Sequence, residues 1–460
     1  MHPTRWRRST HLGIAASVLV LVAAVVATAA FLLPADARTD GARRTLPAPS
    51  VATVRPEVVP VADIAPTPTV SGLAAVLSAP SADTNLGRLG GRITDAITGK
   101  TLWAEQDDVP MQPASTNKVL TAAAALLALD RDARVSTRVA AGDAPGVVVL
   151  VGDGDPTLSS APADADTWYR NAARIRDLAD QVRRSGVTAT EVQVDTSAFG
   201  GPTMAAGWDP LDIGGGDIAP IESVMVDAGR IQPTTVESRR SLTPALDAGR
   251  ALAAALGIDP GRVAIATGPA TGRELGSVQS APLIIRLGEM MNASDNVMAE
   301  CIGREVAAAM GRPRSFAGAV DAVIDRLATA DIEVGGAALQ DSSGLSIDDR
   351  LAARTLDAVV QAAAGPGRPE LRPLLDMLPV AGGSGTLSER FLNPAAGQGG
   401  PAGWLRAKTG SLTRTNALAG IVTDRDFRVL TFAFISNDAG PTGRTAIDAV
   451  AATLRSCGCR

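Results

Sequence analysis

The longest apolar run lies near the start of the chain. Residues 14 to 33, IAASVLVLVAAVVATAAFLL, hold no charge, and Arg5, Arg7 and Arg8 precede them. At about 1.5 Å rise per residue this run matches the ~30 Å hydrocarbon core of a bilayer, and the leading arginines follow the positive-inside rule. It predicts a retained signal anchor, over residues 1–33 with its short cytoplasmic stub. A signal peptide cut at Ala35-Asp36-Ala37 is the alternative. Either way the body is expected outside the cytoplasm, in the cell envelope, membrane-anchored or secreted. Residues 34–70 then carry seven prolines among small residues. Such a stretch packs no core; it reads as a linker reaching up to roughly 100 Å, or as plain disorder.

Periodicity changes after residue 71. GRITDAITGKTLWAEQ, residues 91 to 106, alternates around Thr98-Gly99 and predicts a β-hairpin. STNKVLTAAAALLALD, residues 115 to 130, opens on a capping-type serine and is apolar on nearly every side, which predicts a helix buried all round. Residues 140 to 275 alternate strand (VVVLVG, EVQVDTSAF), helix (WYRNAARIRDLADQVRRSG) and Gly/Pro-rich loops, enough for a domain of their own. A helical region follows at 283 to 330. RAKTGSL, NALAGIV and RVLTFAFIS then predict three antiparallel strands before an amphipathic last helix, TAIDAVAATLRS. The fold class expected is α+β.

Composition excludes several functions. A net charge of −5 and a pI near 5.3 give no basic footprint for nucleic acid. The only histidines, His2 and His11, precede the apolar run, so the body has no Ser-His-Asp triad. With Cys301, Cys457 and Cys459 as the only thiols, no zinc cluster is expected, and no metal or cofactor is called for. Among 43 basic residues only Lys100, Lys118 and Lys408 are lysines. Unlike arginine, a desolvated lysine can give up its proton and act as a base.

Two of those lysines sit in short motifs. Ser115 and Lys118, three apart at a helix start, project from one face, so the amine can reach the hydroxyl. Lys408-Thr409-Gly410-Ser411 occupies a β-rich run where glycine leaves room for a ligand backbone beside an edge strand. Ser294-Asp295-Asn296 interrupts a helical apolar pattern. Taken singly, the three also read as a capping serine with a solvated lysine, a surface strand, and a helix cap.

SxxK, SDN and KTG in this order form the motif set of class A β-lactamases and penicillin-binding proteins. MQPASTNKVLTAAAAL, GDGDPTL, SDNVMAECIGRE, DSSGLSIDDR, LPVAGGSGTLSER and RAKTGSLTRTNALAGIV resemble class C, low-molecular-mass penicillin-binding proteins, the D-alanyl-D-alanine carboxypeptidase/endopeptidase group. The likeness runs from about residue 72 to 455. It implies a penicillin-recognising transpeptidase-like domain, an antiparallel five-stranded sheet flanked by helices, over 71–139 and 276–460. Lys118 and Ser294 stand 176 positions apart, and the stretch between them would hold an inserted, mostly β domain at 140–275.

The resemblance also implies roles. Ser115 would attack the carbonyl of the penultimate D-alanine of a peptidoglycan stem peptide. Without histidine, Lys118 would take the proton, its affinity lowered by burial and by the neighbouring Lys408. Ser294 would relay a proton to the leaving group. Asn296 would hold Lys118 and a substrate amide, while Lys408, Thr409 and Ser411 receive the terminal carboxylate. The backbone N–H groups of Ser115 and Ser411 would form the oxyanion hole. β-Lactams would acylate Ser115. A β-lactamase or serine esterase of the same fold, and a non-catalytic β-lactam-sensing or wall-binding protein, are the rival readings.

Three residues depart from the family pattern: Ser342 for glycine, Ile347 for arginine and Asp349 for asparagine, so an altered supporting loop near the cleft is expected. Cys301 reads as a packed small hydrophobe. Cys457 and Cys459 are candidates for a local disulfide or for pairing between chains. Asp153 and Asp155 read as turn formers.

Overall fold

The computed structural model describes residues 64–235, 238–392 and 400–460. The apolar run at 14–33 and nearly all of the proline-rich linker lie outside the described residues, and no helix among the described residues is long and apolar enough to cross a membrane. Ten strands are described: β1 (Arg88–Asp95), β2 (Thr101–Glu105), β3 (Ser136–Ala141), β4 (Val147–Gly152), β5 (Glu191–Asp195), β6 (Val263–Ile265), β7 (Glu274–Gln279), β8 (Leu405–Leu412), β9 (Thr415–Thr423) and β10 (Val429–Asn437). The helices are α1 (Val70–Ser81), α2 (Lys118–Ala128), α3 (Ile175–Arg184), α4 (Leu211–Gly215), α5 (Pro244–Leu256), α6 (Leu283–Ala293), α7 (Asn296–Ala309), α8 (Phe316–Thr329), α9 (Ala353–Ala364), α10 (Pro373–Met377) and α11 (Gly443–Ser456).

The first sheet has the order β2-β1-β10-β9-β8 and is antiparallel throughout. Its strands alternate between two buried faces. Leu418, Val422, Leu430, Phe432 and Phe434 point into a core shared with α1 and α11. Their neighbours Ala417, Ala419, Ala433 and Ile435 face the helical core of α2, α6, α7, α8 and α9. The smaller residues on that second face let α9 lie close against β10 and β1. Each fully buried Leu, Val or Phe contributes about 1.5–3 kcal/mol, so register is strongly fixed from both sides. β8 is left as an edge strand.

The second sheet, β6-β5-β4-β3-β7, comes wholly from residues 136–279 and is mixed: β7-β3-β4 pair antiparallel, β4-β5-β6 parallel. Helices α3 and α5 pack on it and on each other around Leu150, Leu178, Val194 and Leu252. The helix expected from Trp168 begins only at Ile175. The residues ahead of it have tertiary partners: the Tyr169 hydroxyl donates to Asp295 at 2.6 Å, and Trp168 lies under the Arg230 guanidinium. Further along, Trp208, Ile213 and Met225 join the helical core, carrying this stretch to the edge of the SDN turn.

Helix α2 is buried on every side from Lys118 to Leu126, as its apolar run predicts. Its start differs. Ser115 caps nothing; it sits in a 3-10 turn, Ala114–Asn117, and its hydroxyl faces Lys118 instead.

Candidate active site

The α2 start, the α6–α7 junction and β8 meet at one crevice of about 370 Å³, lined by Ser115, Ser294, Asn296, Thr409 and Ser411 among others. Lys118 and Lys408 lie beneath it, both without solvent exposure. The Lys118 ammonium nitrogen is 2.9 Å from Ser115 Oγ, 2.6 Å from Asn296 Oδ1 and 2.8 Å from the Ser343 carbonyl. Two of these partners are carbonyl-type oxygens that only accept. A neutral amine therefore spends its two hydrogens on them and turns its lone pair toward the Ser115 hydroxyl.

Burial pulls Lys118 down to about 8, against the acidic side chains of Asp341, Glu300 and Asp295, which favour its charge when ionised. Lys408 is pulled well below the ordinary lysine range, first by burial and then by the positive Lys118 and Arg390. Burial and the lack of carboxylate compensation at Lys408 thus matter more than the Lys408 charge does at Lys118. Lys408 donates to Ser294 Oγ at 2.9 Å and to the Thr409 carbonyl at 2.8 Å.

SDN is both a cap and part of the site. Ser294 closes α6 in the left-handed region (φ 59°), Asp295 caps α7 by accepting from the Met298 N–H at 3.0 Å, and Asn296 is the first residue of α7. A serine held at positive φ costs energy and persists because both flanking helices are packed. Asn296 also donates to the Asp217 carbonyl at 3.0 Å, tying the stretch carrying the second sheet to the crevice.

Gly410 differs from its expected use. A Cβ there would lie 2.7 Å from the Pro113 carbonyl oxygen, 3.0 Å from Ala114 Cβ and 3.2 Å from the Ser115 nitrogen. The room it leaves on that side is taken up by the nucleophile's own turn. Gly410→Ala is expected to push β8 off that turn and slow β-lactam acylation by roughly 100-fold, since displacements near 1 Å carry costs of that order. Stopped-flow acylation of the folded variant measures it.

The chain matches the D-Ala-D-Ala carboxypeptidase 3 (S13) family over residues 73–240 and 234–454, and residues 1–60 match the carboxypeptidase Rv3627c-like N-terminal domain. It is 67% identical to carboxypeptidase Rv3627c of Mycobacterium tuberculosis and 65% identical to carboxypeptidase DacB of Mycolicibacterium smegmatis, in each case over 100% of both chains. Its fold is that of penicillin binding protein 4 from Haemophilus influenzae, with a TM-score of 0.66 at 22% identity, covering 83% of this chain and 97% of that one. The chain belongs to the S13 family. Membership bears out the α+β transpeptidase-like fold, the serine carboxypeptidase class, the peptidoglycan peptide as substrate and an extracytoplasmic place of action.

In this S13 enzyme a buried acidic layer supports Lys118, and motif reading passed over it. Asp341 accepts from the N–H groups of Ser343 (3.0 Å), Gly344 (2.6 Å) and Ser346 (2.8 Å) and from Trp208 Nε1 (2.7 Å). Glu300, one turn after Asn296 on α7, accepts from the Ser342 N–H at 3.0 Å, pairs with Arg304 at 3.5 Å, and is pushed up to about 8 by burial and then by Asp341. Its spacing from Asn296 was a visible signal. Burial, then Asp341, raises Asp349 to about 10, so it is a neutral carboxyl group at pH 7. That makes its replacement of asparagine electrostatically small. From the departing loop, Gly344 and Leu345 line the crevice, whereas Ser342, Ile347 and Asp349 do not.

Thr386 and Arg390 were also missed. Thr386 accepts from the Thr409 hydroxyl at 2.8 Å, and Arg390 pairs with Asp448 while lining the crevice. Cys301 is buried, its thiol pushed up by burial, and Cys457 is joined to Cys459. Asp155 forms the expected turn, accepting from Thr157.

Proposed function

We propose that this enzyme removes the terminal D-alanine through an acyl-enzyme on Ser115, with Lys118 as the base. The carrying observation is the lone-pair geometry at Lys118, fixed by Asn296 Oδ1 and the Ser343 carbonyl. The substrate's terminal carboxylate, arriving beside Lys408, Thr409 and Ser411, favours the charged form of Lys408. Repulsion between the two amines then disfavours charge on Lys118 at the moment a base is needed. Ser115 attacks, its proton passing to Lys118; the oxyanion faces the Ser115 and Ser411 N–H groups. Ser294 passes its hydroxyl proton to the departing amine and takes another from Lys408, to which it is bonded; water then releases the acyl group, its proton returning through Ser294 to Lys408 while Lys118 gives Ser115 its proton back. β-Lactams, as strained cyclic amides of the same shape, acylate Ser115 and stall there. Cross-linked peptides, whose leaving group also carries a carboxylate beside the scissile amide, are substrates by the same chemistry. Residues 14–33 are a retained anchor and 34–70 the tether holding the body, in which 140–275 forms an inserted domain.

The test is mass spectrometry of the full-length enzyme with a stem pentapeptide and with benzylpenicillin. D-Alanine release and a penicilloyl adduct on Ser115 are expected. Because the deprotonated lysine is the active form, acylation should rise with pH and level off above about 8. An adduct on another residue, or a rate that falls as pH rises through that range, overturns the assignment.

A further inference from the structure

Val380 bridges Arg406 on the first half of β8, but among the described residues no strand pairs with Lys408–Leu412 on that side. An extended peptide adds to such an edge. The crevice opens there into a second cavity of about 630 Å³, and the two share Ser411, Leu412 and Arg444. The second cavity is further lined by Arg414 and Asn416, and no acidic side chain lines it among the described residues.

Among the described residues neither arginine is salt-bridged to a carboxylate, although Arg444 acts on Asp448 at longer range. Arg414 occupies the β8–β9 turn at φ 57°, a region where glycine is cheaper, and its Nη2 is held by the Asp438 carbonyl at 3.2 Å. Arg444 is exposed in the first turn of α11, where the helix dipole opposes a cation. The nearest acid on that helix, Asp448, is engaged by Arg390 at 3.1 Å. Two guanidinium groups around a cavity contiguous with the catalytic crevice favour a carboxylate.

We propose that this groove is a second anion-binding subsite, receiving a carboxylate of the muropeptide other than the terminal one held by the KTG strand. The proposal rests on the reading of the crevice given above. Two sources carry the same chemistry: a residue upstream of the D-alanine pair on the donor strand, or the leaving strand of a cross-linked dimer.

The test uses matched peptides on the full-length chain. One pair is a pentapeptide bearing a carboxylate or a carboxamide on the second residue before D-Ala-D-Ala; the other is a cross-linked dimer varied in the same way on its leaving strand. Affinities for the Ser115→Ala enzyme are measured by calorimetry, which needs no turnover. In one of the two pairs the carboxylate form is expected to bind about tenfold more tightly. Arg444→Ala or Arg414→Ala, each in the Ser115→Ala background, should bring that ratio close to one, and Arg444→Lys should keep part of it. The responding pair names the source. Equal affinities within both pairs, or ratios untouched by either alanine variant whose thermal melt is unchanged, overturn the groove. Absence of D-alanine release by the unmodified enzyme overturns the catalytic reading and leaves the binding result standing.

Discussion

Lys118→Arg should abolish acylation by benzylpenicillin, lowering its rate by about 1,000-fold or more while keeping a positive charge in the crevice. The magnitude follows from the ~10²–10⁴ that a positioned general base contributes. Arginine keeps its proton under all conditions in which the protein is folded, so no lone pair can be turned toward Ser115. The larger fork also has to enter a site with no solvent exposure, and overpacking of that kind costs roughly 1–3 kcal/mol. A thermal melt therefore accompanies the kinetics. Acylation near the native rate by a folded Lys118→Arg enzyme would show that the charge, not the proton transfer, is what the site requires. Loss of acylation with a native melt separates basicity from folding.

The groups that could be read from the sequence are those whose residue type is scarce. Two of three lysines fall in motifs, and the structure brings Ser115, Lys118, Ser294, Asn296, Lys408, Thr409 and Ser411 to a single crevice. The sheet was legible because β9 and β10 bury both faces and so read as continuous apolar runs. Asp341 was not legible, because acidic residues are common and nothing in a linear pattern tells a buried acceptor from a solvated one, and Glu300 offered only its spacing of one helical turn from Asn296. Gly410 was assigned to the right strand for an incomplete reason, since the atoms it accommodates belong to residues nearly 300 positions earlier. Trp168 and Tyr169 carry helical neighbours in sequence yet stay outside α3, since Asp295 and Arg230 offer them partners that local propensity cannot anticipate. Arg390 and Arg444 were hidden among 40 arginines, where residue type carries no information.

Asp341→Asn is the second substitution expected to have a large effect, although it removes no crevice atom. The carboxylate accepts four N–H bonds, two on each oxygen. An amide offers one accepting oxygen and one NH₂ group, so at least two of those donors would face another donor in a fully buried place. Leaving buried donors unsatisfied costs about 1–3 kcal/mol each, which puts the destabilisation at roughly 2–6 kcal/mol. The same loop presents the Ser343 carbonyl to Lys118, so the base loses one of the two acceptors that aim its lone pair. Electrostatics adds a signature that misfolding does not mimic. Asp341 is the foremost of the carboxylates favouring charge on Lys118, so its neutralisation lowers the lysine further below about 8. The residual acylation of the folded fraction should therefore be reduced overall and reach its plateau at a lower pH than in the native enzyme. A plateau that stays in place or moves upward would mean that Asp341 shapes the loop without contributing to the charge balance at Lys118.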